Sequence, residues 1–235
     1  MSRHDRTSEL RLNLAEVRQR VDAACIAAHR KPEDVSIIVV TKTWPVEDIK
    51  ILADLDVVDI GESRDQEAGE KFSQCTGLDL RWHFIGQFQT NKAGRIARYA
   101  DVVHSIDRLK AVEALAAAAQ RADRQITALV QVSLEISVAE GRGGAAPEEV
   151  LSIAAAIDAA THLTLGGVMA VAPLGADADE AFERLQKVAD RVQANFPGAT
   201  MISAGMSDDM VQAVAHGATH LRIGSAIMGS RSYVE

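Results

Sequence analysis

Lys42 directly continues the apolar run Ile37–Thr41, so its stem leaves the end of what reads as a buried strand. A lysine partly buried there loses solvation, its amine pKa falls, and it becomes a nucleophile toward carbonyls. A lysine that simply pairs with a carboxylate satisfies the same position. Of the other six among seven lysines, Lys50, Lys71, Lys110 and Lys187 fall within helical patterns and read as solvated charges, Lys31 lies in a turn and Lys92 opens a helix. Two late segments, Gly205-Met206-Ser207 and Gly224-Ser225, combine glycines that allow close backbone approach with hydroxyl donors. A helix starting at Ser207 would aim free N–H groups at an anion such as phosphate. The plain alternative makes the glycines turn residues and Ser207 an N-cap, with Asp208 and Asp209 favoured at a helix start. Those two acids would repel a phosphate unless they turn away. Arg222, two residues before Gly224, is a cation within a strand, where burial requires a partner. A lysine, a phosphate cradle and a fixed cation together suit a phosphorylated aldehyde held as a Schiff base.

The elements that must position these residues alternate along the chain. Apolar runs at 36–41, 57–60, 82–85, 101–106, 126–134, 163–171, 199–203 and 219–223 are separated by amphipathic helical stretches. Leu10, Leu14, Val17, Val21 and Ala24 share one face of a leading helix over about 7–30. Pro147 is expected near the start of a helix carrying Val150, Ile153 and Ile157. Asp107 is expected to cap a helix with Leu109, Val112 and Leu115 inward, and Phe182, Leu185, Val188 and Val192 mark another. Eight apolar strands alternating with helices imply a parallel sheet covered on both faces. Closure into an α/β (β/α)8 TIM barrel is the economical solution, and an open doubly wound sheet is the competitor. The expectation is one domain over 1–235, its barrel running from about 36 to 231. Little chain follows the eighth strand, so the leading helix is expected to cover the barrel there. Catalytic and binding residues of such barrels lie at the C-terminal ends of strands, which selects Lys42, Gly61-Glu62, Gly86, Ser105, Met169, Gly205-Met206-Ser207 and Arg222–Ser225.

The 235 residues are 47% hydrophobic and only 4% aromatic, which calls for a core of Ala, Val, Leu and Ile. The net charge of −8 argues against a general nucleic-acid binder. Cys25 and Cys75 cannot build a disulfide framework. The expectation is a cytoplasmic protein without a membrane or nucleic-acid partner. Glu140-Gly141-Arg142-Gly143-Gly144 reads as a mobile loop rather than an anion site. His83 and His104 read as structural histidines without metal-ligand company, and His162, His216 and His220 as scattered.

Val40-Thr41-Lys42-Thr43, Trp82–Gly86, Gln89–Lys92, His104–Asp107, Gly205–Asp209 and Arg222–Ile227 occur in order across nearly the whole chain. In these blocks the sequence resembles the pyridoxal-phosphate homeostasis protein family, whose members look like the barrel domain of alanine racemase standing alone. The resemblance implies pyridoxal 5′-phosphate carried on Lys42 as an internal aldimine. It implies a phosphate held by Ser207, Gly224 and Ser225, Met206 among the cofactor-binding residues, and Arg222 facing the pyridine nitrogen. Ser63 stands where the family usually has an asparagine near the cofactor, and keeps a hydroxyl. Gln87 replaces a common proline, Arg142 a lysine and Met228 a phenylalanine. The implied role is intracellular vitamin B6 homeostasis with little or no catalysis, apo-enzymes being the recipients and a monomer the expected state.

The alternatives are a pyridoxal-phosphate-dependent amino-acid racemase or related enzyme, and a Schiff-base aldolase without cofactor. An arginine at the ring nitrogen cannot accept a proton, so carbanions are poorly stabilised. Racemisation also needs acid–base groups on both faces of the α-carbon. Fold-related racemases take the second base from an additional domain, for which 235 residues leave no room, and neither Tyr99 nor Tyr233 is well placed.

Overall fold

The computed structural model describes residues 3–135 and 143–229. Its eight strands are β1 (Ser36–Val40), β2 (Asp59–Glu62), β3 (Arg81–Phe84), β4 (Val102–Ile106), β5 (Ile126–Gln131), β6 (Leu163–Met169), β7 (Met201–Ser203) and β8 (His220–Ile223). They pair in parallel, in chain order, and close into a barrel. The helices are α1 (Arg3–Ala27), α2 (Val46–Asp54), α3 (Asp65–Gln74), α4 (Ala93–Tyr99), α5 (Leu109–Ala122), α6 (Val150–Asp158), α7 (Ala178–Asn195), α8 (Met210–Ala215) and α9 (Ser225–Met228). The (β/α)8 barrel, and not the open sheet, is the fold.

Side chains alternate across each strand. In β2 the inward positions are Asp59 and Gly61; a Cβ on Gly61 would come within 2.9 Å of Ile38, with Val40 Cγ2 at 3.5 Å. This assigns Ile38 and Val40, and by continuation Lys42, to the inner side of β1. Thr41 and Glu62 face the helices, where Lys71 of α3 meets them.

The expected cover for the last unit is present. α9 has four residues, and α1 lies against it and α8. Leu10, Leu14, Val17 and Val21 are buried on that face; each is worth about 2 kcal/mol of apolar transfer as an upper estimate. Asn13 donates to the Ile227 carbonyl at 2.9 Å, and Arg20 to that of Ser207 at 3.0 Å. Arg6, itself buried, pairs with Asp48 of α2 at 2.8 Å, donates to the Met228 carbonyl at 3.1 Å, and lies 4.5 Å from the Trp44 ring. One guanidinium thus ties α1 to both ends of the barrel seam.

Several boundaries differ from the sequence reading. α1 spans Arg3–Ala27 because His29 adopts a left-handed φ of 54° and ends it. β2 starts at Asp59, since the Val57 amide is spent on the Leu52 carbonyl closing α2. Asp107 does not cap α5: its carboxylate pairs with Arg108, which occupies the cap position, and Leu109 is 49% exposed. Pro147 does lie near the start of α6, three residues ahead of Val150, and Val150, Ile153 and Ile157 are buried as expected. The 126–134 run is strand only to Gln131.

Substituting Arg6→Ala would leave the buried Asp48 carboxylate unpaired. Urea unfolding should show a loss of about 3 kcal/mol; an unchanged midpoint would mean that this pair does not hold α1 in place.

Candidate functional site

Closure sets the geometry of the mouth. β8 pairs with β1 with Val39 opposite Ile223, so Lys42, three residues past Val39, lies beside the turn Gly224-Ser225. A Cβ on Gly224 would sit 3.5 Å from Val40, which shows how closely the two segments run. Ser207, from the loop after β7, brings its hydroxyl 3.3 Å from that of Ser225, and the Ala226 amide is 3.4 Å from the Ser207 hydroxyl. Lys42, Ser207, Gly224 and Ser225 therefore meet on one rim.

Lys42 is exposed, contrary to the expected partial burial. The strand ends at Val40, and Thr43 turns the chain with φ 68°, which leaves Lys42 at the open mouth. The backbone around it is held from beneath. Lys71 donates to the Thr41 carbonyl at 2.8 Å and to Glu62 at 2.6 Å. The Thr41 hydroxyl donates to the same Glu62 oxygen at 2.7 Å, and the Thr43 amide donates to Glu67 at 2.5 Å. Lys71 also pairs with Glu67 at 2.6 Å and is 5% exposed, so its reading as a solvated helical charge is wrong. Sequence offered only the spacing of Glu67 and Lys71, one helical turn apart; their shared partner Glu62 comes from another element. Burial pushes the Glu62 carboxyl up, against the pull of Lys71.

No helix starts at Ser207. Residues 207–209 form a turn, because Asp209 accepts the Met206 amide at 2.6 Å, and α8 begins at Met210. That bond directs Asp209 into its own loop. The Met206 amide is consequently spent within the loop, while its side chain is 40% exposed at the rim. Gly205, φ 89°, makes the turn possible: a Cβ would lie 2.6 Å from Ala213 and 2.8 Å from Leu221. Ser63 follows Glu62 and is half-buried, its carbonyl pressed against Gly86, where a Cβ would come within 2.1 Å. Gly86 positions this segment by having no side chain. Met169 packs with Val102 and Leu129 inside the barrel, and Ser105 is buried; neither joins the rim.

Arg222 points inward and is 5% exposed. Its Nη1 donates to the Ser203 carbonyl and hydroxyl, each at 2.7 Å, and Nη2 donates to the Ala170 carbonyl at 2.8 Å. These bonds use three of a guanidinium's five N–H groups. Burial pulls its pKa down to about 10, partly offset by Asp209. Beneath it, His104 Nδ1 is 2.9 Å from the Ser203 hydroxyl, His83 bridges His104 at 2.9 Å and Asp59 at 2.8 Å, and the His220 ring lies 6.5 Å from that of His83. His220 is thus not scattered but part of a polar interior. Burial, the largest cause, together with the nearby charge of Arg222, keeps His104 well below the usual histidine pKa.

Tyr99, in α4, is buried against Phe72 and Trp82, and burial drives its phenol pKa up. It does not reach the mouth. Tyr233, Arg142 and most of the 140–144 loop lie outside the described residues, which form no metal cluster and no helix long and apolar enough to cross a membrane.

The alanine racemase N-terminal domain family model matches residues 7–232. The pyridoxal phosphate homeostasis protein of Mycobacterium tuberculosis H37Rv is 40% identical over 247 residues, covering 97% of this chain and 95% of the relative. Its counterpart in Corynebacterium glutamicum is 40% identical over 220 residues, covering 90% and 97%. This chain belongs to the pyridoxal phosphate homeostasis protein family. Among solved structures, PipY of Synechococcus elongatus PCC7942, solved with PLP bound, is similar with a TM-score of 0.81 and 30% identity, covering 94% of this chain and all of that one. Alanine racemase of Clostridium difficile 630 shares the fold, with a TM-score of 0.75 at 16% identity, over 97% of this chain and 58% of its own.

Two predictions follow from the site's charges. Lys71→Met leaves Glu62 buried without its cation and should cost about 3 kcal/mol in chemical denaturation; a loss below 1 kcal/mol would assign Lys71 no role beneath Lys42. His104 is held neutral when folded but titrates near 6.5 when unfolded, so the unfolded chain binds the extra proton. Stability is therefore full above pH 6.5 and falls as the pH drops below it, by about 1.4 kcal/mol per pH unit for this histidine. His104→Leu should flatten that slope in denaturation curves between pH 6.5 and 5; an equally steep slope would contradict the buried neutral state.

Proposed function

We propose that this chain binds pyridoxal 5′-phosphate at the barrel mouth through a Schiff base on Lys42 and serves intracellular vitamin B6 homeostasis with little or no catalysis. The observation that supports this reading is the seam between β8 and β1, which brings the chain at Lys42 close to the Gly224-Ser225 turn that Ser207 meets. The donor set fits the group. Hydroxyls and the glycine turn suit a phosphate, the exposed amine suits an aldehyde, and Arg222 keeps two N–H groups beyond its bonds to described residues for a ring nitrogen. Ser63 follows β2, the strand next to β1, and Met206 lies in the same loop as Ser207. PLP bound to PipY, and the relatives' name, support the same ligand.

When bound, the cofactor supplies an aldehyde for amines and a ring that can accept electrons. The protein's side of that chemistry is restrained. Arg222 has donors but no acceptor, so it cannot hold a proton on the ring nitrogen as a carboxylate would. Tyr99 is buried away from the mouth, and racemisation requires a second acid–base group. Residues 1–235 act on this reading as one cofactor-binding barrel domain, a cytoplasmic monomeric carrier that releases cofactor to apo-enzymes. The alternative, an amino-acid racemase, shares Lys42 and needs a base not placed here.

Protein mixed with pyridoxal phosphate should acquire a visible absorbance band that Lys42→Ala lacks. Removing both hydroxyls, Ser207→Ala with Ser225→Ala, should weaken binding by tenfold or more, since hydrogen bonds to a charged group contribute about 1.5–3 kcal/mol each. An identical band in Lys42→Ala would reject the assignment. Robust turnover of a D- or L-amino acid, lost in Lys42→Ala, would favour the racemase.

A further inference from the structure

The interior of a (β/α)8 barrel is ordinarily filled by branched apolar side chains. Here one track through it is polar. Arg81, at the start of β3, pairs with Asp59 at 2.7 Å on the floor; Asp59 meets His83, His83 meets His104, His104 meets Ser203, and Ser203 meets Arg222 below the mouth. His83, His104 and Ser203 are each at most 1% exposed. The five residues of the track from Asp59 to Arg222 come from β2, β3, β4, β7 and β8. The scaffold does not need this: replacing buried polar groups by apolar ones of similar volume is often neutral or stabilising.

The partners also fix a direction. Arg222 can only donate, so the Ser203 oxygen accepts from it. The single Ser203 hydroxyl proton then goes to His104 Nδ1, its remaining partner among the described residues. A neutral His104 carries its proton on Nε2 and donates to His83 Nδ1; His83 donates from Nε2 to Asp59, which Arg81 holds. Every hydrogen in this sequence has an acceptor. In the opposite sense, His104 would donate to a Ser203 oxygen already accepting from Arg222, and the hydroxyl proton would have no acceptor among the described residues.

We propose that His104 and His83 are positioning residues for Arg222: they form a one-way chain of donors from the guanidinium to Asp59, and thereby set how Arg222 meets a ligand at the mouth. The role toward the ligand rests on the pyridoxal phosphate reading above; the direction of the chain does not. Reversing the chain, with a hydrogen on Nδ1 of both rings, would turn the Ser203 hydroxyl away from His104, so the tautomers of the two rings decide how the oxygen that anchors Arg222 is oriented. The charged or titratable groups facing His83 are Asp59 from β2, Arg81 from its own strand, His104 from β4 and His220 from β8, while Arg222 acts on His104. Burial, and then His83, pushes His220 down to about 4. Burial pushes the Asp59 carboxyl up, but the hydrogen bond from His83 and the charge of Arg81 hold it below the usual range.

The test has two arms. In the ligand-free wild-type protein, imidazole ¹H–¹⁵N spectra above neutral pH should show His104 and His83 each protonated on Nε2. Nδ1–H on His104 under those conditions overturns the chain, whatever binds at the mouth. In the protein loaded with pyridoxal phosphate, the pH midpoint of the bound-cofactor absorbance should shift by about one unit in His104→Leu. It should return close to wild type in His104→Gln, whose amide can accept from Ser203 and donate to His83. Identical midpoints in all three proteins overturn the positioning role. Absence of a cofactor band in the wild type removes the ligand reading and this role with it, a failure that the first arm distinguishes from a wrong direction.

Discussion

β8 lies against β1 with Ser36 opposite His220 and Val39 opposite Ile223, and this last seam is the contact on which the site depends. Lys42 belongs to the first strand and Ser225 to the turn after the eighth, so only closure of the barrel makes them neighbours. The energetic support for the seam lies outside it. α9 is too short to cover β8, and α1 crosses from the other end of the chain to do so, with Arg6 fastened to Asp48 and to the Met228 carbonyl. Stability and site assembly are thus coupled: loosening α1 exposes the seam that brings Lys42 near the Ser207 loop and the Gly224-Ser225 turn.

Two buried polar groups serve the rim from different sides. Outside the sheet, Lys71, Glu62 and Glu67 grip the backbone before and after Lys42, so the amine is exposed while its base is fixed. Inside the sheet, the track from Arg81 to Arg222 holds the guanidinium with carbonyls and a hydroxyl, and no carboxylate among the described residues touches it. Leaving a buried cation unpaired is costly. That cost is consistent with a cation kept for a ligand.

Much of this was readable before the fold was known, for physical reasons. Strands buried on both faces read as continuous apolar runs, and their alternation with helices specified the barrel. Lys42, Arg222 and the serine–glycine turns stood out because charged and flexible residues interrupt those runs at their ends. What escaped depended on partners distant in sequence. Lys71 looks like any helical lysine until Glu62 from another element meets it. His83, His104 and Asp59 are separate polar interruptions whose shared inward face depends on strand register. The turn at Ser207–Asp209 escaped because Asp209 competes locally for the Met206 amide, and Asp107 because its carboxylate prefers Arg108.

The central claim is that one amine, at the end of β1, carries the cofactor beside the phosphate loop. Borohydride reduction of protein loaded with pyridoxal phosphate, followed by proteolysis and peptide mass mapping, tests it most directly. The account predicts a single reduced pyridoxyl adduct, on the peptide and side chain of Lys42. An adduct confined to another lysine, or spread evenly over the exposed ones, would contradict it.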